Sequence, residues 1–208
     1  MHILEDVILG YENSKTIYIV VSQTGTILSR LLRLFTKAEY NHVSIALDEN
    51  LDHMYSFGRT NPYNPIIGGF VSESPKFGTF KRFYKTRVVI LSVVITIEQF
   101  NKLKSCMEHM FEKKNKYKYN YLGLLLAGAH INYRSVRRYY CSEFAKEMLT
   151  RFGIITEETL PKIVKPIDFL CLGNITNCKV IYRGNLQEYA LINTDALCEE
   201  ISEDYNGK

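Results

Sequence analysis

The sequence predicts an α+β fold in one domain spanning residues 1–208, with a core over about 17–190. Three observations carry this. Runs of β-branched residues, Ile17-Tyr18-Ile19-Val20-Val21 and Arg87 to Ile95, have the length and composition of strands. Phe100, Leu103, Met107, Met110 and Phe111, and again Phe144, Met148, Leu149 and Phe152, repeat at three and four residues, so each set puts one helical face toward a core. Strand-like and helix-like stretches follow each other irregularly, without a repeat or low-complexity block.

In chain order, residues 1–16 are polar and carry no clear element. Ile17 to Val21 is a buried strand, broken at Ser22-Gln23-Thr24-Gly25-Thr26. Ile27, Leu28, Leu31, Leu32, Leu34 and Phe35 then form an apolar stripe on a helix capped by Thr24 or Thr26 and ending near Thr36. Tyr40 to Asp48 is a strand, Asp48-Glu49-Asn50 a turn, and Met54 to Gly58 the return strand of a hairpin. Between Arg59 and Gly69, turn residues predict a long irregular loop, of the kind that often binds ligands. Phe70 to Glu73 is a short strand, and Gly78 to Tyr84 and Arg87 to Ile95 are two more.

Thr96 is a fitting N-cap for the long helix that follows. Tyr117 to Tyr121 is a tyrosine-dense turn, and Leu122 to Ala129 a short apolar helix expected to pack inward. His130 to Arg138 is a polar connection to the helix that begins at Cys141 and ends at Gly153, a residue suited to the left-handed position after a helix. Thr156 to Leu160 is one helical turn, and Pro166 keeps Lys165 extended. Cys178 to Tyr182 is a late strand, and residues 195–208 are a frayed acidic tail.

Composition narrows the partners. The 46% hydrophobic content is that of a globular protein, and net charge is only +4 with acids and bases interleaved. The densest basic run, Lys113 to Lys118, is too small a cluster for a nucleic-acid footprint, so no nucleic-acid partner is expected. Five scattered cysteines without a CxxC pair give neither a zinc ribbon nor a disulfide framework, and free thiols fit a reducing compartment. His109 and His130 lack ligand-spaced partners, and no HExxH or paired carboxylate occurs, so neither a metal nor a cofactor is expected. The N-terminus lacks the basic and apolar regions of a secretory leader, and no apolar run is long enough to span a bilayer. A cytoplasmic location is the expectation.

The chemistry concentrates at Tyr139-Tyr140-Cys141-Ser142-Glu143-Phe144. Cys141 opens a helix, where free N–H groups and the positive end of the dipole favour a thiolate, the nucleophilic form. A cysteine hydrolase also needs a base within reach and a group that orients the base. His42 lies on an early strand, about a hundred residues before Cys141.

This order is the reverse of papain, where the cysteine helix precedes the histidine strand. The opening strand with Leu28-Ser29-Arg30, the segment Asn41-His42-Val43-Ser44-Ile45-Ala46-Leu47, the Tyr55-Ser56-Phe57-Gly58-Arg59 strand, the Tyr-Cys-Ser-Glu helix start and Pro166-Ile167-Asp168-Phe169 resemble the circularly permuted papain-like amidases of the YiiX-like, NlpC-type group. The resemblance covers about residues 17–170 and implies an antiparallel sheet or half-barrel packed against helices. It implies Cys141 as nucleophile, His42 as base and a thioacyl-enzyme on a small peptide, amino-acid or acylated substrate. The family's third position falls near Ser56, a neutral orienter. Glu73 and His53 are the alternatives, with Asp52 reached by a register slip. The Cys141 amide is one oxyanion donor, and Tyr40 or Tyr140 is the candidate for a second. Arg59 is a candidate for binding a substrate carboxylate. A lipid-ester hydrolase or acyltransferase of the same fold is the enzymatic alternative, and a decayed binding module the other.

Overall fold

The computed structural model describes residues 13–24, 39–64, 66–175 and 177–192. The predicted helix over 27–36, the acidic tail, nearly all of the polar N-terminal stretch and Cys198 lie outside them. The described chain is α+β, built on an eight-stranded sheet: β1 (Ser14–Gln23), β2 (His42–Ala46), β3 (Met54–Arg59), β4 (Gly68–Glu73), β5 (Arg87–Thr96), β6 (Lys118–Tyr119), β7 (Arg138–Tyr139) and β8 (Cys178–Asn185). Spatial order is β7-β6-β4-β3-β2-β1-β5-β8. All neighbours are antiparallel except β6 and β7, so the sheet is mixed rather than purely antiparallel as expected.

The predicted strands form because both faces of the sheet centre are covered. On β1, Ile17, Ile19 and Val21 face one apolar cluster while Tyr18 and Val20 face a second, which explains a run without polar alternation. The larger cluster lies under the helices α2 (Ile97–Glu112) and α4 (Cys141–Arg151) and the 3₁₀ segment Pro166–Asn174. There Val43, Ile45, Phe57 and Phe70 meet Leu103, Met107, Phe144, Met148 and Phe169. Phe144 stacks edge-on or tilted against Phe57, Phe70 and Tyr139, with centroids 5.3, 5.4 and 6.3 Å away. The smaller cluster joins Ala46, Met54, Val88 and Ile90 to Phe80, and to Leu186 and Tyr189 of a helical segment over 186–192.

Local signals hold at most boundaries. Thr96 caps α2 through a reciprocal capping box with Gln99, at 3.1 and 3.0 Å. Gly153 ends α4 at φ +64°, and the Ile154 amide bonds back to Leu149 O at 2.9 Å. Lys165 is extended before Pro166, as the proline requires. The buried Lys146 ammonium holds the segment after α4, donating to Glu157 O and Leu160 O at 3.0 Å each and to Pro161 O at 3.3 Å.

Three expectations are corrected. Gly78 to Tyr84 is not a strand but contains the short helix α1 (Gly78–Arg82). Phe80 and Phe83 stand three apart, so a helical turn puts both on one side, with Phe80 buried and Phe83 half-buried. Gly68 and Gly69 do not belong to a loop but open β4. A Cβ on Gly69 would lie 2.8 Å from Tyr117 O, so glycine there lets β6 approach. The leucine-rich helix α3 (Tyr121–Gly128) packs inward only in part: Leu124 and Ala127 lie half-buried against the core, but Leu122 is 53% and Leu125 69% exposed, and Gly123 is its one buried residue. Its apolar residues run around the whole helix, so no stripe is available to specify an inner face.

Candidate active site

Cys141 is the first residue of α4, its helix buried from Cys141 through Lys146. The turn is braced by Glu143, whose Oε2 accepts the Tyr140 amide at 3.4 Å and the Asn120 Nδ2–H at 3.5 Å. Ser142 Oγ donates to Val164 O at 2.8 Å and pins the helix to the segment beyond it. The dipole and unpaired amides of this N-terminus therefore surround the sulfur.

His42 reaches the same place from β2. The strand is registered against β1 by Ser22–His42 pairing. It is locked by Asn41, whose amide donates to Ser22 O at 3.1 Å and whose Oδ1 accepts Thr24 N and Oγ1 at 3.2 and 3.0 Å. Asn41 O in turn lies 4.0 Å from Cys141 Sγ. The His42 ring, 12% exposed, has Glu73 as its acid partner and stands near enough to the Cys141 sulfur for its charge to act on the imidazole. Nε2 lies 3.0 and 3.2 Å from the two Glu73 carboxylate oxygens. Ser44, two residues along the same strand face, donates to Glu73 Oε2 at 2.6 Å and sits 3.2 Å from Nε2.

Gly58 makes room for this group. A Cβ there would come within 3.3 Å of Glu73 Oε1 and 3.6 Å of His42 Cε1. Burial by itself lowers the His42 pKa. The Glu73 carboxylate, hydrogen bonds to Cys141 and Glu73, and charge on the sulfur more than reverse this and push it from 6.5 up to about 10. Burial raises the Glu73 carboxyl, but His42, Ser44 and Arg59 together hold it below its ordinary value. An imidazolium–carboxylate pair beside a thiol at a helix N-terminus is a proton-transfer and charge-stabilising arrangement.

The other predicted site residues divide. Ser56, placed first as orienter, is fully buried and donates to Val43 O at 2.7 Å, so its hydroxyl is engaged away from the imidazole. His53 is exposed, its amide bound to Asp48 Oδ2 at 2.8 Å, and Asp52 pairs with Lys76 at 2.8 Å. Glu73 fills the position because β4, paired with β3 from Gly68 to Glu73, carries it across from Gly58 to Ser44 and His42. Tyr40 and Tyr140 are buried beside Cys141 in a cavity of about 330 Å³, whose far wall is apolar: Leu124, Leu125, Ile163, Val164 and Pro166.

Two residues escaped the sequence. In the sequence Ser44 is marked only as one residue of the strand bearing His42. Tyr119, on β6 in register with Tyr139, lines the same cavity as Cys141 and lies close enough for charge on the sulfur to act on its hydroxyl. Burial and then charge on Cys141 keep that phenol protonated far into the alkaline range. Nothing local in Tyr117-Lys118-Tyr119-Asn120-Tyr121 marks which tyrosine points at the thiol; the β6–β7 pairing decides it. Among the described residues, the cysteines at 106, 141, 171 and 178 are free, no group of three or more His, Cys, Asp or Glu side chains is placed to hold a metal, and no helix is long and apolar enough to cross a membrane.

No protein-family model matches the chain, and no curated protein does. Among solved structures, the metalloprotein yiiX of Escherichia coli O157:H7 is similar at a TM-score of 0.39 and 14% identity, over 85% of this chain and 91% of that one. A likeness that loose leaves the site to be read from its own geometry.

Proposed function

We propose that this protein is a cysteine hydrolase of permuted papain-like design, forming a thioacyl-enzyme on Cys141 with His42 and Glu73. The observation that supports it is the imidazole held between a helix-N-terminal sulfur and a buried carboxylate. The raised pKa of His42 keeps the imidazole protonated near neutral pH, so it is the proton donor of the pair. The thiolate attacks the carbonyl carbon, and the Cys141 amide and the Tyr119 hydroxyl donate to the developing oxyanion. His42 then gives its proton to the leaving amine or alkoxide. Water, deprotonated by the now neutral imidazole, releases the acid from the thioester. Glu73 keeps the ring oriented and its cation stabilised throughout.

The apolar cavity next to the sulfur favours a substrate whose acyl group is aliphatic over a polar peptide. The decayed-module alternative rested on a neutral orienter, and the Glu73 carboxylate supplies the charge that alternative lacked.

The test is thiol alkylation by iodoacetamide near pH 6, read by peptide mass spectrometry. Cys141 should react faster than the other four cysteines, and His42→Ala should abolish that preference. In parallel, p-nitrophenyl octanoate should leave an octanoyl adduct on Cys141. Equal labelling of all five cysteines, with no adduct, would sink the hydrolase reading.

A further inference from the structure

Arg59 ends β3, immediately after the glycine that abuts Glu73 and His42. Its guanidinium lies over the Phe83 ring at 5.4 Å, and that of Arg82, from α1, lies 5.5 Å from the same ring. Arg82 is held there by its Nη1 donating to Pro62 O at 2.6 Å and by the Tyr63 ring at 4.2 Å. Two cations are thus gathered about one aromatic ring, near enough for the charge of Arg82 to act on Arg59. Among the described residues neither has a carboxylate ion pair of its own; the acids nearby are spent on other partners, Glu73 on His42 and Asp52 on Lys76. Arg59 Nη2 is buried with no acceptor at all. A guanidinium carries five donors, and a buried donor left unpaired is costly, so a site of this composition is built for an anion.

Its place relative to the thiol is fixed by neighbours. Arg59 lies close enough to Glu73 and to Tyr121 for each to feel its charge. Tyr121 packs tilted against Tyr119 with centroids 4.6 Å apart, and Tyr119 lines the cavity beside Cys141. The apolar cavity adjoins Cys141 through Leu124, Leu125 and Pro166, residues that have no part in the arginine cluster. Cys141 thus borders the aliphatic pocket, and the cationic cluster approaches the same site through Gly58, Glu73 and Tyr121.

We propose that Arg59 and Arg82 form an oxyanion subsite for the head of the substrate, so that the molecule hydrolysed is amphipathic: an aliphatic acyl group in the cavity and a phosphate or carboxylate on the two guanidiniums. Planar guanidiniums bind either anion through paired N–H donors, and the aromatic faces beneath hold them flat for it. This deepens the hydrolase reading and rests on it for the word substrate. Binding itself is testable without turnover.

The experiment is calorimetric titration of the full chain with octyl phosphate, octanoate and octanol, none of which offers a scissile bond. One octyl anion, at least, should bind about tenfold or more tighter than octanol, the gain of a charge-assisted hydrogen bond. Octyl phosphate exceeding octanoate names a phosphate head, and parity names a general oxyanion. Arg82→Gln, at an exposed position, should cut the preference by about tenfold, and Arg59→Gln should remove it. Arg59→Lys, which keeps the charge and loses the fork, should retain only part. Equal affinity for the anions and octanol, no binding of any of the three, or a preference unchanged in Arg82→Gln and Arg59→Gln would overturn the subsite. Loss of the subsite with Cys141 still selectively alkylated leaves the hydrolase standing. A retained preference with an unreactive Cys141 leaves an anion-binding site without the chemistry.

Discussion

Replacing Glu73 by Gln separates the charge of the site from its shape. Gln keeps the length of the side chain, an oxygen for the Ser44 hydroxyl now 2.6 Å away, and the space opened by Gly58. What disappears is the negative charge that carries the His42 pKa from 6.5 to about 10 against the opposing effect of burial. Without it burial is opposed by the Cys141 sulfur alone, and the pKa falls toward its unperturbed value. At pH 7 the protonated fraction then drops from nearly all molecules toward about a quarter. If the reactive state is thiolate beside imidazolium, alkylation of Cys141 at pH 7 slows by up to about fourfold. The effect narrows toward pH 5, where both forms of the protein are protonated at His42. Iodoacetamide rates at Cys141 measured from pH 5 to 9 in both proteins, with Cys171 as an exposed internal reference, give the comparison. Superimposable profiles would refute the assignment of Glu73 as the charge partner, whatever the distances.

Four further outcomes follow from the same geometry. Ser44→Ala removes the 2.6 Å hydrogen bond to Glu73 and should displace the alkylation profile toward acid, while Ser56→Ala should leave it in place and cost about 1 kcal/mol of stability in urea titration. The folded-state pKa of His42 is raised, so its contribution to stability is full below about pH 6.5 and is lost as pH rises to about 10. That of Glu73 is lowered, so its contribution is present above about pH 4.5 and lost as pH falls below that. Urea midpoints should therefore decline from pH 6.5 to 10, with a shallower decline in His42→Ala/Glu73→Ala. Gly58→Ala, which puts a carbon 3.3 Å from Glu73 Oε1, should slow Cys141 alkylation without unfolding the chain by circular dichroism. Lys146→Ala strips the donor from three carbonyls, that of Leu160 buried, and should lower stability by about 1–3 kcal/mol in denaturant titration, the cost of a buried acceptor left unpaired.

Where the sequence was legible, one element carried its own signal. The β1 and β5 runs, the α2 capping box, the α4 stripe and the glycine after it depend on residues within a few positions of each other. Helix α1 was missed because its five residues span barely one turn, too short for periodicity to separate helix from strand. The outward leucines of α3 were missed for a related reason: apolarity forecasts burial only when it is one-sided. The parallel β6–β7 pair joins two-residue strands, whose composition says nothing of their partners.

The site shows the same division more sharply. Cys141 and His42 could be read because each is marked by its own element, a helix start and a strand bearing a lone imidazole. The orienting group could not, since it depends on strand register. Along β3 the residue facing Val43 O is Ser56, and the one facing His42 and Glu73 is Gly58, which contributes only space. The acid that uses that space comes from one strand farther out, at the end of β4, where Met54 pairs with Glu73. Filling the third position with the nearest polar residue therefore chose a side chain whose hydrogen bond was already committed to a backbone carbonyl. A neutral hydroxyl cannot hold an imidazolium against burial, whereas a carboxylate can. The Glu73 charge is the largest of the influences that raise the His42 pKa to about 10, and it ties the chemistry of Cys141 to a pairing register more than thirty residues away from the histidine in sequence.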